Sequence, residues 1–178
     1  SERMQQLVKS AIALGCEPVL LPHFRVIRRL ADYGFFGAGG ILVGTHAFLA
    51  FGNMLGVRWG DTSRTQDVDF AHAGKQVAIA LPGNLRVDAH AAIESLAIGF
   101  LPVLTVAGRA GASYATPSDP DFQLDFLTPL HRGANEPYEH PQLKITLQPV
   151  KFMEYLLEDV QQAALFSAEG VVVVNVPH

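Results

Sequence analysis

The sequence predicts an α/β protein of the α+β kind, in which a mixed β-sheet is flanked by helices. Three observations predict it. Apolar residues at helical spacing open the chain, short runs of alternating or β-branched residues stand further along, and prolines break the stretch between 102 and 149 into short strands. Residues 3–14 carry Leu7, Ile12 and Leu14 at helical spacing, and residues 23–33 carry Phe24, Ile27 and Leu30. Pro18 and Pro22 punctuate the gap.

Ile41-Leu42-Val43 reads as the first strand, followed by a helix from about Thr45 to Leu55. Thr45 is the expected N-cap, because its hydroxyl can accept from a free N–H of the first turn, and Gly56 is the expected stop. Gln66 to Phe70 reads as strand two, Gln76 to Ala80 as a short strand and Arg86 to Ile98 as a helix. In the proline-rich part, Phe122, Leu124 and Phe126 alternate and share one strand face. Val150 to Phe166 shows helical spacing through Phe152, Tyr155, Leu156 and Val160, and the run Val171 to Val176 reads as a strand.

No repeat or low-complexity linker divides the chain, so 1–178 is expected to be one domain, with 1–36 a helical N-terminal part and 37–178 the core. The start lacks an initiator methionine, and the end falls just after a strand, so a further C-terminal segment is expected.

Composition narrows the function classes. Apolar residues make up 49% and charged residues 17%, which suits a hydrophobic core and excludes a disordered chain. The net charge of −4 argues against a broad nucleic-acid surface. Cys16 is the only cysteine, so an internal disulfide and a cysteine-based zinc site are excluded. No apolar run approaches the roughly 20 residues that span a bilayer, and Ser1-Glu2-Arg3-Met4 lacks the order of a signal peptide; a cytoplasmic protein is expected.

The chemistry concentrates between Gly39 and Phe70. Asp67-Val68-Asp69-Phe70 alternates acid and apolar, so Asp67 and Asp69 share a face while Val68 and Phe70 turn to the core. Two adjacent carboxylates repel, and a divalent cation such as Mg²⁺ relieves the repulsion while keeping room for substrate phosphates. Upstream, Gly44-Thr45 at a strand-to-helix turn would let a phosphate approach the backbone. Asp125, flanked by Leu124 and Phe126, is the third acid; if its strand lies beside the Asp67–Asp69 strand, three carboxylates converge. Three acids around divalent ions can activate a hydroxyl and brace a leaving pyrophosphate. Alone, each piece also has an ordinary reading: Gly-Thr as a helix cap, Asp-Val-Asp-Phe as a solvated edge strand, and Asp125 as a surface acid.

This constellation resembles the polymerase-β-like nucleotidyltransferase superfamily, and within it a small prokaryotic branch. The residues that carry the resemblance are Leu42-Val43-Gly44-Thr45-His46-Ala47-Phe48, Arg64-Thr65-Gln66-Asp67-Val68-Asp69-Phe70 and Leu124-Asp125-Phe126-Leu127-Thr128-Pro129, with Pro149 to Leu157 and the closing Val-rich strand. The resemblance implies transfer of a nucleoside monophosphate from an NTP to an acceptor hydroxyl on an RNA end, a protein or a small molecule, releasing pyrophosphate. Gly44 and Thr45 would hold the triphosphate, Asp67 and Asp69 the metals (Mg²⁺, with Mn²⁺ as alternative), and Asp125 would complete the site and act as base. Two departures stand out: Thr45 where many members have Gly or Ser, and a long stretch to Asp67 in which Gly60-Asp61-Thr62-Ser63 reads as an inserted loop.

Arg64 could meet a phosphate bidentately or be a surface arginine, and His46, Lys144 and Lys151 are weaker candidates for the triphosphate or pyrophosphate. The seven histidines show no zinc-enzyme spacing. Gly37-Ala38-Gly39-Gly40 precedes a strand, where a dinucleotide fingerprint follows one, and no P-loop or nucleophile-elbow motif is present. The competing expectation is a non-catalytic nucleotide-sensing or partner-binding module, for instance one half of a toxin–antitoxin pair.

Overall fold

The computed structural model describes residues 2–58, 66–74 and 87–178. The helix α1 (Glu2–Ala13) buries only Val8, whereas α2 (Leu21–Asp32) buries His23, Phe24, Val26, Ile27 and Leu30. Pro22 sits in the first turn of α2, where its missing N–H costs no hydrogen bond. A tight turn then leads through Gly40 into β1 (Ile41–Val43). A Cβ at Gly40 would stand 2.2 Å from the Phe35 ring, so only glycine lets the chain pass that ring.

The helix α3 (Gly44–Leu55) follows without an intervening loop, and β2 (Val68–Ala71) comes next among the described residues. Gly56 ends α3 in the left-handed conformation, φ 66°, as expected. The remaining elements are α4 (Ala89–Glu94), β3 (Leu101–Leu104), β4 (Ala110–Thr116), β5 (Asp119–Pro129), β6 (Tyr138–His140), β7 (Ile145–Val150), α5 (Met153–Leu157), β8 (Val160–Ser167) and β9 (Gly170–Pro177).

Among the described residues, seven strands form one mixed sheet in the order β1-β2-β5-β4-β3, with β7 on β5 and β6 on β7. The pairs β2–β5 and β5–β7 are parallel and the others antiparallel. With the five helices found among the described residues, this is the expected α+β architecture. One sheet face carries Leu42, Val68, Phe70, Leu124 and Phe126, all fully buried in the main core with residues of α2 and α4. Phe70 and Phe126 stack at 5.1 Å, and Phe35 meets both edge-on. The opposite face has a small second cluster of Ile41, Val43, Ala71 and Met153.

Four local expectations change. The helix over Val150–Phe166 is only the five-residue α5; Val160–Ser167 is a strand paired with β9. The residues that suggested helical spacing, Phe152, Tyr155, Leu156 and Val160, are exposed, at 71%, 66%, 44% and 39%. The residues that reach the core alternate instead: Ala163 opposite Val174 and Leu165 opposite Val172. Burial against a partner strand overrides a local period. The helix expected to run to Ile98 stops at Glu94, capped at its start by Asp88, whose carboxylate accepts from Ala91 N–H at 2.8 Å. The second strand starts at Val68 and runs on to Ala71. Thr45 lies inside the first turn of α3, and Val43 takes the cap position with no side-chain cap bond. Arg64, the Gly60–Ser63 loop, the strand expected over Gln76–Ala80 and Arg86 lie outside the described residues.

The β8–β9 ribbon is fastened to the N-terminal region. Asn175 Nδ2 donates to the carbonyls of Phe36 at 2.9 Å and Gly40 at 3.0 Å, and Val19 N–H donates to Phe166 O at 2.8 Å. The ribbon thereby holds the turn that delivers β1 and Gly44.

Candidate functional site

A single row crosses four strands. Val43 pairs with Asp69, Asp69 with Asp125, and Asp125 with Ser113, on β1, β2, β5 and β4. Residues directly opposite in a sheet share a face, so the two acids and the serine stand side by side. The register is set from the other face: Val68, Phe70, Leu124 and Phe126 are fully buried, and a slip by one residue would drive both acids into the core.

The strand bearing Asp125 does lie beside the strand bearing Asp69. Asp67 is the residue but one before it and is exposed, while Asp69 and Asp125 are half-buried. The Asp69 carboxyl is pushed up to about 6, first by burial, then by the charges of Asp125 and Asp67. Asp67 is raised too, by burial, Asp125 and Asp121. The three acids therefore feel one another, and Asp121 adds a fourth charge.

Gly44 meets this row at Asp69. Its φ of 70° is left-handed, and a Cβ there would come within 2.5 Å of Asp69 Oδ2. The strand-to-helix turn thus lies against Asp69, and Val43 at the cap position of α3 makes no side-chain cap hydrogen bond. Gly44 is exposed and Thr45 half-buried. Such an uncapped helix start attracts anions.

Behind that turn, His46 and His23 form a buried pair, with His23 Nδ1 and His46 Nε2 3.0 Å apart. Burial and the neighbouring His23 bring His46 down to about 4, and burial lowers His23 as well. Both rings are neutral at pH 7. His46 is therefore a packed core residue and does not reach outward as the sequence allowed. Lys144 lines a separate cavity of about 350 Å³ with Asp88, His90 and Tyr114. Tyr114 pairs with Leu124, on the face opposite the acids, so Lys144 is not brought to them. Lys151 is exposed.

Two residues of the site were not singled out from sequence. Ser113 Oγ donates to Asp125 Oδ1. Nothing in Gly111-Ala112-Ser113-Tyr114 signals this, because the contact exists only through the β4–β5 register. Asp121 was within reach, since it shares strand parity with Asp125.

Among the described residues, no three His, Cys, Asp or Glu side chains form a ready ligand cage. Magnesium needs none, because it is commonly held by one or two carboxylates together with water and substrate phosphates. The donors here are all oxygen, and the raised protonation of Asp67 and Asp69 is what a hard cation would relieve. The residues present fit such an ion.

A family model described as Nucleotidyltransferase matches residues 22–178. No curated protein and no solved structure matches the chain.

Proposed function

The chain belongs to this nucleotidyltransferase family, and from that premise we propose a metal-dependent enzyme of the polymerase-β-like branch. It moves a nucleoside monophosphate from an NTP to an acceptor hydroxyl. The observation that carries the proposal is the register of Asp69 against Asp125, with the Gly44 turn in contact with Asp69. An anion site and an acid cluster adjoin, which is what a triphosphate with its counter-ion requires.

In this reading Gly44, Thr45 and the first-turn N–H groups of α3 hold the triphosphate. Asp67 and Asp69 hold Mg²⁺ or Mn²⁺, with Asp125 as third carboxylate. When bound, the ion neutralises phosphate charge and steadies the leaving pyrophosphate. Asp125 takes the proton of the acceptor hydroxyl. The freed oxygen pair forms a bond to the α-phosphorus, the bond from that phosphorus to the bridging oxygen breaks, and pyrophosphate leaves with its electrons. Arg64 is a further phosphate contact in this reading. The acceptor is an RNA end, a protein side chain or a small molecule.

The test is calorimetric titration of ATP, GTP, CTP and UTP, with and without Mg²⁺, into wild type and the Asp67→Ala/Asp69→Ala double variant. Mg²⁺-dependent binding that vanishes in the double variant supports the site, and the rank order names the donor. Binding that survives in the double variant would overturn it. Wild type that binds no nucleotide would favour a partner-binding module.

A further inference from the structure

We infer that Ser113 is a positioning residue for Asp125, fixing which carboxylate oxygen is left for the ion and the acceptor proton. The inference rests on the site proposed above. Asp125 stands between two neighbours in its row, Asp69 on β2 and Ser113 on β4. The Ser113 hydroxyl engages Oδ1. A carboxylate beside a like charge tends to swing away from it, and a hydroxyl bond to one oxygen opposes that movement.

Ser113 can do this because its backbone has little freedom. Ala112 and Tyr114, on either side, are buried at 6% and 4% exposure. The Tyr114 hydroxyl is tied to His90 Nδ1 at 2.8 Å, and Ala115 continues the ladder opposite Gln123. The hydroxyl is thus presented from a rigid strand, as positioning of a ligand demands. Oδ2 remains as the working oxygen of Asp125.

The experiment compares Ser113→Thr with Ser113→Val. The two side chains are close in shape and both suit a strand, but only threonine keeps the hydroxyl. The readout is Mn²⁺ affinity in the presence of ATP, measured by electron paramagnetic resonance on the full chain, alongside wild type and Asp125→Asn. Loss of a bond to a metal-bound carboxylate typically lowers metal affinity by about tenfold or more. The expected result is therefore a loss of about tenfold in Ser113→Val, near wild-type affinity in Ser113→Thr and equal melting temperatures for both. Equal affinity in the two variants, with Asp125→Asn impaired, would overturn the role of Ser113 alone. Wild-type affinity in Asp125→Asn, or no Mn²⁺ binding by wild type, would overturn the active-site reading and this role with it.

Discussion

Asp69 and Asp125 occupy the same register position on two neighbouring parallel strands, so their carboxylates share one face of the sheet next to Gly44. This placement carries an electrostatic cost in the ion-free protein. The folded state raises the Asp69 carboxyl from 3.8 to about 6, chiefly by burial and then by Asp125 and Asp67. A raised acid binds its proton more tightly when folded, so wild type loses stability as pH rises from 3.8 to 6, and above that the penalty is constant. Asp69→Asn removes the penalty. After discounting for partial exposure, the variant is expected to gain about 1–2 kcal/mol at pH 7 without metal. The gain should shrink below about 0.5 kcal/mol at pH 4. Urea unfolding at both pH values checks this; a gain that is the same at both would mean that folding does not raise the Asp69 carboxyl.

Gly44→Ala tests the contact from the other side. The new methyl meets Asp69 Oδ2 at 2.5 Å in a backbone with φ 70°, which disfavours any residue with a Cβ. Strain and displacement together are expected to cost about 2 kcal/mol and to weaken Mg·ATP binding. Combining Gly44→Ala with Asp69→Gly opens the space and should recover part of the stability, but not the binding. Melting curves and calorimetry separate the two effects. A Gly44→Ala variant as stable as wild type would show that the turn is free to move away from Asp69.

Asn175→Ala tests how the distant ribbon supports the turn before β1. Its amide donates to two carbonyls, those of Phe36 and Gly40. Losing both bonds is expected to cost about 1–3 kcal/mol. Hydrogen exchange should quicken at β1 and β9 while β4 and β5 stay protected. Uniform quickening across the sheet would mean that the ribbon acts on global stability only.

What the sequence made legible follows from period and punctuation. Asp67 to Phe70 and Phe122 to Phe126 alternate because one face of each strand is buried, so their acids could be assigned to the open face from sequence. Gly56 ends α3 because a left-handed residue is needed there. The Ser113–Asp125 bond was illegible because it depends on which residues two strands place opposite each other. Strand β8 misled because Phe152, Tyr155, Leu156 and Val160 suggest one long helix face, yet they are exposed and the helix ends at Leu157. Helical period reports structure only where the apolar stripe is buried. The buried role of His46 also came from tertiary contact, with His23 supplied by a different helix.

That histidine pair gives an acid sensitivity opposite in sign to Asp69. Among the described residues, His46 Nδ1 is buried without a partner. A bare acceptor nitrogen is cheaper to leave unpaired than an N–H, so the proton belongs on Nε2, donating to His23 Nδ1. Charging His46 would bury a cation beside another ring, which is why the folded protein holds it at about 4 against an ordinary 6.5. A lowered histidine binds its proton less tightly when folded. Its contribution to stability is complete above 6.5 and is lost as pH falls toward 4. His46→Gln keeps a donor for His23 and cannot be charged. Between pH 7 and pH 5, wild type is expected to lose about 2 kcal/mol more than this variant. Because Asp69 stabilises over part of the same range as pH falls, the acid loss should be steeper in Asp69→Asn than in wild type. In Asp69→Asn/His46→Gln the extra steepness should largely disappear. Parallel pH profiles for wild type and His46→Gln would show that acid acts elsewhere, with His23 and His72, both lowered by burial, the next to substitute.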